Sequence, residues 1–316
     1  MVNNIQTEVQ GMPQNKATLI GLIAILLWSA IVGLIKSVSE GFGPVAGAAL
    51  IYTCSAILLL FTVGFPKLRQ FPSGYLFFGS LLFVSYELCL SLSLGFTHSG
   101  RQAIEVGMVN YLWPAMTILL AVVVNRQKTS PLIIPGMLLS VAGICLVLGG
   151  ERGFSFNEMT SNIMENPLSF GLALSGAVIW AIYCVVTKII AKGNNGITLF
   201  FILTALTLWI KYLTSPQPEF VLSWHTWLSL ALAAIAMGFG YAAWNVGILH
   251  GNVTVLAAAS YFIPIISALL AAFILNSHLT LSFWQGTAMV SLGSLICWWS
   301  TRSIAPKKLP AINQSK

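Results

Sequence analysis

Aspartate is missing altogether: all eight acidic side chains in this 316-residue chain are glutamates. Charge of either sign is scarce, at 7% of residues, where a soluble globular chain carries about 25%. So few charges cannot cover a globule of this length, which excludes a cytosolic enzyme. The signatures of membrane enzymes are lacking too: there is no GxSxG, no HExxH, no paired intramembrane aspartate and no lipid-phosphate motif. Without a P-loop the chain does not itself drive transport with ATP. The five cysteines, Cys54, Cys89, Cys145, Cys184 and Cys297, form no CxxC pair and sit in apolar runs. They read as small buried apolar residues rather than as a disulfide or metal framework. Nothing in the sequence calls for a cofactor or a metal.

What abounds is apolar sequence, 57% of residues, with a mean hydropathy of +0.86. A bilayer core about 30 Å thick takes roughly 20 residues of helix. Ten apolar runs of that order, bounded by charge, Pro or Asn, cover 17–36, 44–64, 74–97, 102–125, 132–149, 169–190, 195–213, 227–249, 253–275 and 283–301. Residues 1–16 and 303–316 are polar tails, and 151–168 is the longest polar connection, with Glu151, Arg152, Glu158 and Glu165. The run from Ala17 to Ile35 is too long for the apolar core of a signal peptide and no small-x-small site follows it, so no cleaved leader is expected.

Basic residues orient the chain. With the amino terminus in the cytoplasm, eleven fall inside (Lys16, Lys67, Arg69, Arg126, Lys128, Lys188, Lys192, Arg302, Lys307, Lys308, Lys316) and four outside (Lys36, Arg101, Arg152, Lys211). Glu40, Glu151, Glu158, Glu165 and Glu219 fall outside, against Glu8 inside. Both termini are therefore expected in the cytoplasm. The net charge of +7 is scattered over short loops, so it asks for no nucleic-acid partner, and no obligate protein partner is evident.

The chain also repeats itself. Tyr111, Pro114, Leu119, Leu120, Ala121, Gly136 and Gly143 recur 150 residues later as Tyr261, Pro264, Leu269, Leu270, Ala271, Gly286 and Gly293. Trp28 and Lys36 recur at a spacing of 152 as Trp180 and Lys188. Each unit, 17–150 and 169–302, holds five spans, an odd number, so the second enters the membrane from the opposite side. The expected fold is an all-α integral membrane protein, ten transmembrane helices arranged as two inverted five-helix repeats around a central cavity. That is a recurrent plan of secondary transporters.

Residues costly at bilayer depth mark the candidate site. Glu87 lies mid-span in the third run and Glu105 one turn into the fourth. Each reads as a substrate-amine contact or proton carrier, or else as a helix-packing group. Proline lacks an N–H, so Pro114 strips the Asn110 carbonyl of its helical partner, and Pro264 does the same to Ser260. Two such breaks at matched positions point to a central site. Mid-span aromatics gather near them: Trp28, Tyr86, Tyr111, Trp113, Tyr261, the pair Trp180 and Tyr183 on one helix face, and Tyr241, Trp244 and Asn245 on another. Such a lining suits a zwitterion with a large apolar side chain. Trp224, Trp227, Trp298 and Trp299, at span ends, read as interface anchors, and Gly247-Ile-Leu-His-Gly251 as a close-packing motif.

Three stretches carry a resemblance: Gln14-Asn-Lys-Ala-Thr-Leu-Ile-Gly-Leu-Ile-Ala-Ile25, Glu105-Val-Gly-Met-Val-Asn-Tyr-Leu-Trp-Pro114 and Tyr241-Ala-Ala-Trp-Asn-Val-Gly-Ile-Leu-His-Gly-Asn-Val-Thr254. With the paired prolines, the chain resembles the EamA-type branch of the drug/metabolite transporter superfamily over about residues 14–302. The resemblance implies a basket-shaped bundle in a bacterial inner membrane. Its implied substrates are Phe, Tyr and Trp, with toxic analogues as further candidates, exported from cytoplasm to periplasm. On the matching motifs it singles out Trp28, Tyr111, Trp113, Pro114, Trp180 and Tyr261. Export of another metabolite or drug is the nearest alternative, and a non-transporting enzyme, channel or structural protein the more distant one. Proton antiport, exchange and uniport all stay open. Reporter fusions at the two ends should both report a cytoplasmic location; opposite sides would overturn the even span count.

Overall fold

The computed structural model describes residues 12–302, apart from 67, 126–128, 193, 217–218 and 222. Glu8, Lys67, Arg126, Lys128, Lys307, Lys308 and Lys316, which bear on the orientation, lie outside the described residues, as does the carboxyl tail. Among the described residues there is helix and no strand. The helices are α1 (Gln14–Ser29), α2 (Ile31–Phe42), α3 (Pro44–Thr62), α4 (Ser80–Gly95), α5 (Gly100–Asn110), α6 (Trp113–Asn125) and α7 (Ile133–Leu148). They continue as α8 (Phe156–Glu165), α9 (Pro167–Ile190), α10 (Ile197–Leu213), α11 (Trp224–His250), α12 (Val253–Ser260), α13 (Ile263–Ile274) and α14 (Leu281–Arg302). A π-helical turn, Tyr75–Gly79, leads into α4.

Each apolar run of the sequence is helical. Five helices are long and apolar enough to cross a membrane, Pro44–Thr62, Tyr75–Gly95, Gly100–Val124, Pro167–Thr187 and Trp224–Gly247, and α1 with α2 makes a sixth if that bent pair is one span. Helices α7, α10 and α13 are apolar but shorter. The outer surface carries large apolar side chains such as Phe61, Phe77, Leu138 and Phe273, the last 86% exposed. The chain is thus a multi-pass helical membrane protein. Without water in a bilayer, hydroxyls within spans turn back on their own helix: Thr53 Oγ1 donates to the Ala49 carbonyl at 2.7 Å and Thr204 Oγ1 to Phe200 at 2.8 Å.

The proline breaks fall where the sequence places them. Helix α5 ends at Asn110 and α12 at Ser260, and in each case a two-residue turn, Tyr111–Leu112 or Tyr261–Phe262, precedes the next helix. A third break has no proline. Helices α1 and α2 meet at 42° around Ala30. There Ser29 Oγ takes the Ile25 carbonyl at 2.7 Å and the Ala30 N–H falls back three residues to Leu27 at 3.1 Å, a back-bonding that bends helices. The first helical run also outlasts its expected end at Lys36, reaching Phe42. It continues because Lys36 is buried and its Nζ donates to the Thr97 carbonyl at 2.6 Å. In the polar connection 151–168 the structure has a helix, α8, capped by Ser155, whose hydroxyl accepts from the Glu158 N–H.

Helix α7 lies against α14, α3 against α10, α1 against α11, and α9 against α4. The first pair meets through glycine. A Cβ on Gly143 would stand 2.6 Å from the Gly286 carbonyl oxygen, and one on Gly136 2.9 Å from that of Gly293. Because 136 faces 293 and 143 faces 286, the two helices run antiparallel. Between these contacts the Ser140 hydroxyl reaches the Val290 carbonyl at 3.5 Å. The small-residue motif of α11 packs likewise: a Cβ on Gly247 would sit 2.7 Å from Gly21 Cα. The obstacle at Gly286 is backbone, which cannot swing aside. Gly286→Val should therefore cost on the order of 1–3 kcal/mol, read as a lowered thermal unfolding temperature in detergent.

Candidate functional site

Two hollows stand out. One, about 460 Å³, is a polar cleft between α5 and α8, lined by Arg101, Gln102, Glu105, Glu151, Glu158, Asn162 and Glu165 among others. Here Arg101 Nε donates to Glu105 Oε1 at 3.0 Å and Asn162 Nδ2 to Glu105 Oε2 at 2.8 Å. Glu105 is thus tied into this cleft, away from the aromatic candidates.

The other, about 200 Å³, opens among α1, α2, α4, α5, α6, α9, α11 and α13. It is the smaller cavity but the one the sequence points to. Eight of the thirteen candidates line it: Trp28, Tyr86, Asn110, Tyr111, Trp113, Trp180, Tyr241 and Trp244. The proline break explains part of this grouping. Where α5 stops at Asn110 the chain turns, which sets Tyr111 and Trp113 on the wall beside Asn110. Asn110 itself is buried and its Nδ2 donates to the Ala173 carbonyl of α9 at 3.3 Å. On the α11 side Trp28 meets Tyr241 edge-on at 4.9 Å between ring centroids and Trp244 at 5.2 Å. On the α9 side Trp180 packs on Tyr86 at 4.4 Å and faces Trp113 edge-on at 6.3 Å. Such offset and edge contacts are the favourable arrangements for aromatic rings.

Five candidates do not line the cavity. Tyr183 stacks behind Trp180 at 4.8 Å and 15°. Pro114 and Pro264 are buried in the helices that they start. Tyr261, also buried, has its ring 6.2 Å from that of Trp298. Glu87 has no exposure at all and stands behind the wall. Its Oε2 accepts from the Tyr52 hydroxyl at 2.5 Å and its Oε1 from the Tyr241 hydroxyl at 2.7 Å. The carboxylate therefore joins α3, α4 and α11.

Sequence reasoning passed over Tyr52, although it is a mid-span aromatic with a polar tip like the others. It also passed over Phe83, fully buried, whose ring lies within 6.1 Å of Trp180, Tyr183, Phe201 and Tyr241 and backs the cavity wall. The remaining lining residues, Ile31, Val32, Leu90, Gly107, Cys184, Met237 and Ile263, are apolar and carried no signal among so many. Gly107 has a reason: a Cβ there would lie 3.0 Å from Val32 Cγ2, so glycine lets α5 approach α2. No two cysteines are bonded. No charged side chain lines the cavity, and no group of three His, Cys or Glu residues capable of holding a metal occurs among the described residues.

A lipid-facing helical body built around an uncharged, ring-lined hollow belongs to the class of multi-pass membrane carriers. The profile of the EamA-like transporter family matches twice, over residues 15–149 and again over 168–299, and the chain belongs to that family. It is 59% identical over 291 residues to the aromatic amino acid exporter YddG of Escherichia coli K12, covering 92% of this chain and 99% of that one. The exporter of the same name from Salmonella typhimurium is 58% identical over the same shares. Another from Ancylobacter novellus is 29% identical over 82% of this chain and 88% of that one. A solved crystal structure, 24% identical, superposes with a TM-score of 0.67 over 92% of this chain and all of the other, which shows the shared fold.

Accessible cavity walls should react. In single-cysteine variants, Cys184 is expected to label with a small methanethiosulfonate reagent while Cys297, with no exposure, stays unmodified. Equal labelling of the two would place Cys184 outside an accessible hollow.

Proposed function

We propose that this chain is a secondary exporter of the aromatic amino acids Phe, Tyr and Trp, with toxic aromatic analogues among its substrates, moving them from cytoplasm to periplasm across a bacterial inner membrane by alternating access. The observation that carries the reading is the cavity of seven aromatic rings, Trp28, Tyr86, Tyr111, Trp113, Trp180, Tyr241 and Trp244, with Asn110 as its amide. A bound aromatic side chain gains roughly 1.5–3 kcal/mol from burial, and each well-placed ring about 0.5–1.5 kcal/mol more. The near full-length likeness to curated aromatic amino acid exporters supports the same substrate class.

In this reading ten spans form two inverted five-span repeats, 17–150 and 169–302, with both termini in the cytoplasm. The packing supports it. Exchanging the halves leaves the pairs α7 with α14 and α3 with α10 unchanged, and turns α1 with α11 into α9 with α4. Gly136 and Gly143 touch the counterparts of each other, and Ser140 touches its own counterpart, Val290. A contact in which i meets j and j meets i is the mark of a two-fold axis. Since the helices at this contact are antiparallel, the axis lies across them, in the membrane plane. The substrate ring sits between Trp113, Trp180 and Tyr111, and rocking of one repeat against the other exposes the cavity to either side in turn.

Trp113→Ala and Trp180→Ala should each lower Phe transport about tenfold, the weight of roughly 1.4 kcal/mol, with the amount of protein in the membrane unchanged. Purified protein in liposomes would be offered labelled Phe, Trp, Thr and a cationic dye, with and without imposed gradients. Flux of Phe and Trp that both substitutions depress supports the reading. Dye or Thr flux without Phe would make it an exporter of another solute, and no flux of any would return the enzyme and structural alternatives.

A further inference from the structure

Among the described residues no charged side chain stands on the cavity wall, yet an amino acid brings a positive ammonium group into it. That ammonium needs an acceptor. Three phenols, Tyr86, Tyr111 and Tyr241, and the Asn110 amide are the uncharged candidates on the wall. A phenol has one hydrogen to give and lone pairs to offer, so a free one rotates to serve as donor or acceptor. Tyr241 is not free: its hydrogen is committed to Glu87 Oε1 at 2.7 Å. What its oxygen has left is acceptor capacity only.

Tyr52 provides the internal comparison. It too gives its hydrogen to Glu87, at 2.5 Å, but its oxygen then accepts from Ser91 Oγ at 3.1 Å, and it does not line the cavity. Tyr241 has no such donor among the described residues, and it does line the cavity, between Trp28 and Trp180. One carboxylate thus takes the hydrogen of two phenols; the oxygen of one is saturated by Ser91, while that of the other, on a residue of the cavity wall, receives no donor among the described residues.

We infer that Glu87 is a positioning residue that makes the Tyr241 hydroxyl an obligate hydrogen-bond acceptor for the ammonium group of the substrate. The inference rests on reading the cavity as an amino-acid site. It gives the protein a way to require an amine without exposing a carboxylate in the pathway. The carboxylate behind the phenol strengthens that acceptor, because bonds in a chain polarise one another at low dielectric.

The test is competition for labelled Phe uptake into proteoliposomes by two fragments of the substrate. Phenethylamine keeps the amine and lacks the carboxyl group, and 3-phenylpropionate has the reverse. The unaltered protein should prefer phenethylamine by about tenfold, the worth of one hydrogen bond to a charged group. Tyr241→Phe should raise the half-saturating Phe concentration about tenfold and shrink the preference to within about twofold. Glu87→Gln should shrink it as well, since an amide donates as readily as it accepts and no longer fixes the phenol. Tyr52→Phe, which leaves the Tyr241 bond in place, should retain the preference. A purely structural role would instead lower the maximal rate for every ligand alike and leave the ratio untouched. If Tyr241→Phe does not fold, as judged by size exclusion, Glu87→Gln carries the same ratio test. Phe flux with a tenfold amine preference surviving in the tested variant would overturn the inference. Absence of any Phe flux in the unaltered protein would overturn the export reading on which it stands.

Discussion

A carboxylate with no exposure inside a membrane bundle has to be answered by hydrogen bonds, because burial of an unpaired charge costs several kcal/mol or more. Glu87 is answered by two phenols from two other helices. That single requirement fixes the rotation of α3 and α11 relative to α4, and with it the place of the Tyr241 ring. Tyr241 in turn meets Trp28, Trp180, Phe83 and Phe201. The polar pin and the aromatic lining are thus one construction: the bonds hold the rings at the edge of a cavity instead of letting them collapse into it.

The second constraint is close approach. In lipid there is little hydrophobic drive between helices, so association depends on surface fit and on small residues that let backbones touch. The glycines of α7 and α14 do this at one flank of the bundle, and Gly21 with Gly247 does it between α1 and α11. Tight seams at these places leave the slack elsewhere, around the helix breaks at Ala30, Tyr111 and Tyr261, where the wall residues gather. Breaks of this kind are tolerated because the freed backbone borders a cavity or another helix and not lipid.

The two hollows differ in chemistry. The cleft at Glu105 is acidic, bonded and polar, while the cavity is uncharged and ring-lined. Lys36, Thr97, Gln102 and Asn166 are all buried, and Asn166 Nδ2 donates to Gln102 Oε1 at 2.9 Å. That bond ties the amino end of α9 to α5.

The sequence alone placed the apolar helices and two of the three central breaks, though not α8 in the polar connection, and it carried the duplication that the family profile matches twice. Runs of apolar residues satisfy their backbone only as helix, and a proline removes a donor wherever it stands. It also named eight of the fifteen residues of the cavity wall, because mid-span Trp and Tyr lie outside the interfacial belts where such rings anchor. Only the tertiary structure decided which face of each helix looks inward. A helix surrounded by lipid is apolar on every side, so no polar stripe records its rotation, and Ile31, Leu90, Met237 and Ile263 are indistinguishable in sequence from residues that touch lipid. The same ambiguity hid the serine-made bend at Ala30 and put Glu87 behind the wall instead of on it, since its partner Tyr52 lies 35 positions away and only folding brings the two together.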